Sequence, residues 1–129
     1  MIKSISEKTL QDLEFSTVLQ NISTHCINGL GKENVRRIEP IHSRKKLFIE
    51  LHLVEEYLSS FESENRVPNH GFDNITESIK RLAIENSFIE TGDFLKIAAT
   101  SLTVNELIKF YKKFQIQFPT FYTRSQKIE

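Results

Sequence analysis

Apolar residues recur at helical spacing along most of the chain, and few glycines or prolines interrupt them. The clearest stripe steps alternately by four and three residues, so all of its side chains share one helix face. Its members are Leu47, Leu51, Val54, Leu58 and Phe61. Ser43 precedes this run as an N-cap. The pattern therefore predicts a long amphipathic helix over residues 44–62.

A second long helix is predicted over residues 92–114, with Thr91 as its N-cap, because no glycine or proline lies between 93 and 114. Its apolar residues cover more than one face, which is typical of a helix packed on two sides. One face is a candidate for core packing or self-association. It comprises Leu95, Ala98, Leu102, Ile108 and Tyr111. We expect the isolated chain to bury this face by self-association.

Three shorter helices complete an all-α fold of about five helices. The first starts after Ser16 and ends at Gly29, a residue suited to a left-handed helix stop. The second restarts at Leu30-Gly31 and stops before Pro40, which predicts a tight corner at Gly31. The third opens at Asn74. Residues 1–118 form the helical part, and residues 119–129 are a tail or the start of another segment.

Charge and composition narrow the function classes. The 129 residues include 17 basic and 17 acidic ones, so the formal net charge is +0. A protein that binds nucleic acid on its own usually carries a basic excess, so direct DNA binding by this chain is disfavoured. Its single cysteine forms no internal disulfide, and it has no signal-peptide pattern or membrane-spanning apolar run. We expect a soluble, cytoplasmic protein without a membrane partner.

No constellation of catalytic, cofactor-binding or metal-ligating residues emerges. The histidines lack metal-ligand spacing, and Cys26 is best interpreted as a small core residue. Five carboxylates lie on the polar side of the chain over residues 50–64, the later part of the 44–62 helix and the two residues after it, where a solvated face is the default interpretation. They are Glu50, Glu55, Glu56, Glu62 and Glu64.

One basic turn is a candidate anion contact. Arg44, Lys45 and Lys46 occupy the first turn of the 44–62 helix, where the macrodipole disfavours positive charge. An anionic partner would offset that cost. Solvated lysines and arginine on a surface helix are the simpler alternative.

Several short motifs occur in an order that resembles a known family. They are Leu13-Glu14-Phe15, Val18-Leu19, Leu30-Gly31, Pro40, Val54-Glu55-Glu56, Pro68, Gly71, Asp73 and Ile75. This order is similar to the start of the endonuclease-type, Smr-containing bacterial branch of the MutS family. The resemblance spans residues 6 to about 118 and continues into the leucine-rich helix that begins at Phe94-Leu95.

The resemblance implies a non-catalytic N-terminal core segment, or lever, of a DNA-binding ATPase and endonuclease. In such proteins the core helices couple the ATPase end to a clamp around nucleic acid. ATP, Mg²⁺ and the nuclease would belong to the parent, and so would its dimerisation and its DNA or ribosome partners. The partners of this segment would be the remaining core, clamp and ATPase segments of its own chain.

A stand-alone helical adaptor that binds one protein through an apolar groove is the main alternative. A small enzyme or ligand-binding bundle would need convergent polar groups, which the sequence does not offer. The codons downstream of Glu129 separate the adaptor from the core segment: a stop codon favours the adaptor, and a Walker motif favours the core segment.

Overall fold

The computed structural model describes residues 5–128, and this part of the chain is helical with no strand. It contains seven helices. In chain order they are α1 (Glu7–Asp12), α2 (Phe15–Thr24), α3 (Gly29–Arg36), α4 (Arg44–Glu62), α5 (Thr76–Leu82), α6 (Thr91–Lys113) and α7 (Pro119–Ser125). The predicted all-α class is confirmed.

The two long helices match the prediction closely. Helix α4 has the predicted bounds, and the Ser43 hydroxyl accepts a hydrogen bond from the Lys46 N–H at 3.4 Å as its N-cap. Helix α6 is unbroken but starts and ends one residue earlier than predicted. Its N-cap is Glu90, and Thr91 is its first helical residue, so the predicted Thr91 cap is wrong.

The sequence predicted about five helices, and the structure adds two short ones, α1 and α7. Ser6 caps α1, because its hydroxyl accepts a hydrogen bond from the Thr9 N–H at 3.1 Å. Helix α7 begins with Pro119, whose fixed φ suits the first helical position. Residues 119–125 are therefore helical. The division of the chain at residue 118 stays a prediction.

The corner between α2 and α3 differs in detail from the prediction. Helix α2 begins at Phe15 after Glu14, a left-handed residue with φ 51°, so Ser16 is not its cap. It ends at Thr24, before Gly29. Gly29 instead starts α3, with Asn28 as the N-cap whose side chain accepts from the Gly31 N–H at 2.8 Å. Gly29 is thus not a left-handed stop.

Gly31 is the glycine that the corner requires. A Cβ at this position would lie 3.3 Å from both Asn28 Oδ1 and Cys26 Cβ, closer than most side chains tolerate. Asn28 also donates from Nδ2 to the Phe72 carbonyl at 3.2 Å, which ties the corner to the loop before α5. The predicted close approach at Gly31 is confirmed, and Asn28 explains why it is close.

Helix-to-helix contacts follow two short series. In one, α1 contacts α2 and α2 contacts α3; in the other, α4 contacts α7, α7 contacts α6, and α6 contacts α5. No other pair of helices within residues 5–128 is in contact. Helices α4 and α6 therefore both contact α7, and their backbones do not contact each other.

The buried core is small for a chain of this length. Four hydrophobic residues are buried among the described ones, namely Val35, Leu53, Tyr111 and Phe118. The accessible surface is 10690 Å². A compact monomer of 15.1 kDa would expose about 7,100 Å². The excess means that large apolar areas face solvent.

The apolar stripe of α4 accounts for part of this exposed area. Leu47 is 41% exposed, and the other four members are 54–57% exposed. The buried residues of α4 are Leu53, Glu56 and Ser60, on the other side of the helix. An amphipathic surface helix ordinarily turns its stripe to the core, and α4 does the reverse. Among the described residues, no helix is long and apolar enough to cross a membrane.

Replacing Gly31 by valine should destabilise the fold. The added side chain would press against Asn28 and Cys26, and such overpacking costs about 1–3 kcal/mol. We expect a melting temperature several degrees lower by circular dichroism. Gly29→Val is the matched control, because a Cβ there meets nothing within 4 Å. Equal melting temperatures for the two variants would contradict the close approach at Gly31.

Candidate functional site

A buried carboxylate joins α4 to α7. Glu56 is only 9% exposed, and its Oε1 and Oε2 atoms accept from the Thr120 N–H at 2.8 and 3.1 Å. Its Oε2 also accepts from the Phe121 N–H at 3.1 Å. The first N–H groups of a helix have no partner within the helix, and that end carries partial positive charge. Glu56 therefore caps α7 from a position 64 residues earlier in the chain.

The neighbouring carboxylates divide between structural and solvated roles. Glu50 accepts from Arg124 Nη2 at 2.6 Å, a second link between α4 and α7. Glu55 is exposed and lies 3.4 Å from His52 on its own helix. The predicted solvated face is therefore wrong for Glu56 and incomplete for Glu50, because both bind α7.

Aromatic rings fill the space between α6 and α7. Phe118, immediately before α7, is completely buried and lies 5.3 Å from Phe110 and 5.8 Å from Tyr111, measured between ring centroids. Tyr111 also stacks on Phe121 of α7 at 4.8 Å with an interplanar angle of 5°. These contacts fix α7 against the last turns of α6.

A polar bridge closes the same junction from the loop side. Gln117 donates from Nε2 to the Ser63 hydroxyl at 2.9 Å, and its Oε1 accepts from Asn65 Nδ2 at 3.0 Å. The segment after α4 is thereby tied to the segment before α7. Glu56, the aromatic cluster and this bridge together make one rigid junction of α4, α6 and α7.

Tyr111 has a perturbed acidity that reflects this packing. Burial, followed by the neighbouring Tyr57 and Glu56, raises the pKa of Tyr111 from 10.0 to about 12. Each of these effects disfavours the phenolate. The residue stays neutral at physiological pH, as suits a core position rather than an acid–base role.

The structure divides the predicted face of α6 into two halves. Ile108 and Tyr111 line an apolar cavity of about 150 Å³ that α7 covers with Phe121 and Ser125. Leu95 and Leu102 are 61% and 65% exposed, and Ala98 is half-buried. Ile108 and Tyr111, toward the C-terminal end of α6, are thus packed within the chain. Leu95 and Leu102, toward its N-terminal end, are open.

The basic turn of α4 stays on the surface. Arg44, Lys45 and Lys46 are exposed, and none of the ion pairs found within residues 5–128 includes them. Arg44 lies over the Phe48 ring, 5.4 Å from its centroid. Lys46 lines an open cleft together with Glu39 and Glu50, so the surroundings are of mixed charge. The predicted anion contact stays a prediction.

Metal ligands and nucleophiles do not converge in the described part of the chain. No group of three or more His, Cys, Asp or Glu residues there could hold a metal ion. The Cys26 thiol donates to the Ile22 carbonyl at 3.7 Å in the α2–α3 corner. The most prominent features of residues 5–128 are the junction of α4, α6 and α7 and the exposed apolar residues of α4 and α6.

These features define a helical segment that exposes many more large hydrophobic side chains than it buries. Comparison with curated proteins identifies relatives named Endonuclease MutS2. The one from Caldanaerobacter subterraneus subsp. tengcongensis is 26% identical over 123 residues, covering 95% of this chain and 14% of the relative. The one from Bacillus velezensis is 24% identical over 106 residues, covering 82% of this chain and 13% of the relative. No family model and no solved structure matches.

The sequence of this chain is therefore MutS2-like over most of its length, which confirms the resemblance that its motifs indicated. The chain spans about 14% of the length of the relatives that it matches.

Replacing Glu56 by glutamine should loosen α7. The amide keeps the shape of the side chain but loses the charge, and it turns N–H groups toward the Thr120 and Phe121 donors. We expect the free energy of unfolding to fall by about 1–3 kcal/mol in urea denaturation. The control is Glu62→Gln, an exposed carboxylate on the same helix. Equal losses in the two variants would show that Glu56 does not cap α7.

Stability should also fall in alkali through Tyr111. Because its folded pKa lies above its unfolded pKa, its contribution is complete below pH 10 and is lost as pH rises toward 12. The loss is at most about 3 kcal/mol. Urea unfolding at intervals across this range should show a shallower decline in Tyr111→Phe than in the wild type. Parallel declines would contradict the raised pKa.

Proposed function

We propose that this chain is a non-catalytic core segment of a MutS2-like protein, which couples an ATPase end to a nucleic-acid clamp. The observation that carries the proposal is the match of nearly the whole chain to proteins about seven times longer. Proteins of that size distribute chemistry and mechanical coupling over different segments. The exposed apolar residues of α6, Leu95 and Leu102, support a role that depends on further packing.

The mechanical part of the proposal rests on the two long helices. At 1.5 Å per residue, α4 and α6 extend about 28 and 34 Å. The capped and aromatic-packed α7 holds them in one arrangement through Glu56 and Phe118. A displacement at one end of such a unit reaches the other end with little loss, because packed interiors are stiff.

The open part of the α6 face, formed by Leu95, Ala98 and Leu102, is the surface on which other core segments of the same protein would pack. Leu95 and Leu102 lie two turns apart and are largely exposed, with Ala98 between them. Self-association of the isolated chain through the full face stays a prediction. Two residues of that face, Ile108 and Tyr111, are already covered by α7.

Chemistry and nucleic acid would enter through the parent. ATP with Mg²⁺, endonuclease activity and dimerisation would belong to its other segments, and DNA or the ribosome would be its partner. This segment would carry out no reaction itself. The equal numbers of basic and acidic residues favour coupling over direct DNA binding.

Glutamate substitutions at Leu95 and Leu102 test the open face. We expect Leu95→Glu/Leu102→Glu to bind much less hydrophobic dye than the wild type while keeping its melting temperature, because both side chains are already exposed. The matched control is Lys109→Glu/Lys112→Glu, which changes charge on exposed positions of the same helix. Unchanged dye fluorescence in the leucine variant would contradict an open packing face.

The coding sequence downstream of Glu129 tests the proposal as a whole. An in-frame Walker motif supports the core segment. An immediate stop codon supports the alternative, a helical adaptor, which the same exposed apolar faces favour. Cleavage of DNA by the purified chain would contradict both.

A further inference from the structure

The stripe of α4 faces away from everything that α4 packs against. At 100° per residue, its five side chains fall within an arc of about 80°. Leu53, Glu56 and Ser60 lie on the other side of the helix, toward α7. Leu51, Val54 and Leu58 border a shallow surface groove with Glu55 and Glu62 at its edge. The stripe therefore has the spacing and the exposure of an unpaired coiled-coil seam.

The charges of α4 have the wrong sign for its own macrodipole at both ends. The first turn has no acidic residue and carries Arg44, Lys45 and Lys46. The last turn has no basic residue and carries Glu62, with Glu55 two turns before it. Each end would be stabilised by a helix lying alongside in the opposite direction with the complementary charges.

We propose that α4 pairs with α4 of a second copy of this chain, in antiparallel orientation through the stripe. A second copy supplies both the apolar seam and the complementary charges. Its acidic end lies beside the basic turn of the first copy, and its basic turn lies beside the acidic end. Parallel pairing would instead place like charges together at both ends.

Coiled-coil layering sets the register of the pair. In an antiparallel pair, first-position residues of the repeat face fourth-position residues of the other helix. Leu51 then lies opposite Val54 of the second copy, and Leu47 lies opposite Leu58. The two remaining layers place Arg44 against Phe61, which brings the basic turn within reach of Glu62.

The surface that the whole chain leaves exposed, of which the α4 stripe is one part, exceeds what a specific dimer removes. A standard interface removes about 800 Å² from each partner. The chain exposes about 3,600 Å² more than a compact monomer of its mass would. The pairing leaves the α6 face free, and the proposed core function does not require it, so either proposal can fail without the other.

Sedimentation equilibrium on the purified chain, from low to high micromolar concentration, tests the pairing. We expect a monomer–dimer equilibrium. Leu51→Glu/Leu58→Glu should raise the dimer Kd at least about tenfold with unchanged helicity, because both residues are exposed in the monomer. Leu95→Glu/Leu102→Glu on α6 is the matched control: pairing through α4 predicts an unchanged Kd, whereas self-association through the α6 face predicts a raised one. A wild-type chain that is monomeric throughout, or dimer loss only in the α6 variant, overturns the proposal.

Charge reversal tests the orientation. Arg44→Glu should weaken the dimer, and so should Glu62→Lys, because the register places these two residues close to each other. The variant with both changes should recover most of the wild-type affinity, because the two ends are complementary again. Failure to recover would contradict charge-matched antiparallel pairing.

Disulfide trapping tests the register. In a Cys26→Ser background, Leu47→Cys and Leu58→Cys chains are mixed and oxidised. The antiparallel register yields mainly the mixed disulfide between positions 47 and 58. Predominant disulfides between identical chains would indicate parallel pairing, and absence of any disulfide dimer would overturn the α4 interface.

Discussion

The carboxylate of Glu56 is the interaction on which the rest of the second helical series depends. Helix α7 has only seven residues and would not persist alone, because short isolated helices are unstable in water. Glu56 neutralises its N-terminal end and satisfies its first N–H groups. Phe118 then anchors the start of α7 against α6. Since the backbones of α4 and α6 do not approach each other directly, this cap, together with the aromatic cluster, governs how the two long helices lie.

The sequence specified the extent of the long helices but not the direction in which α4 faces. Periodicity and the lack of glycine and proline gave residues 44–62 and 92–114, because both signals are local. Which side of α4 is buried depends on Thr120, 64 residues away, and on a charged residue. A hydrophobic pattern assigns a carboxylate to solvent, so it could not reveal that Glu56 is the buried one. Phe118 before Pro119 was the local signal for α7, since proline favours the first helical position.

Turn chemistry explains the other differences. Gly29 is compatible with a left-handed stop, but Asn28 is a better N-cap than glycine is, and its side chain reaches the Gly31 N–H. The corner consequently belongs to the start of α3. Two residues of the candidate face of α6, Ile108 and Tyr111, are covered by a helix that the sequence did not predict, whereas Leu95 and Leu102 are exposed.

Because the core is small, the stability of this chain depends on what covers its exposed apolar surfaces. Full burial of a leucine, phenylalanine or valine side chain contributes about 1.5–3 kcal/mol, and only four hydrophobic side chains are buried in the described part of the chain. The polar junction orients α7 but adds little net stability, because each hydrogen bond replaces one to water. Whatever covers the α4 stripe and the open α6 face therefore stabilises the fold by mass action. If the chain is a segment of a longer MutS2-like protein, as proposed, the covering segments would be held at high effective concentration by the chain itself. In the separate chain only a second copy is always present, and the reversed charges at the two ends of α4 suit such a copy.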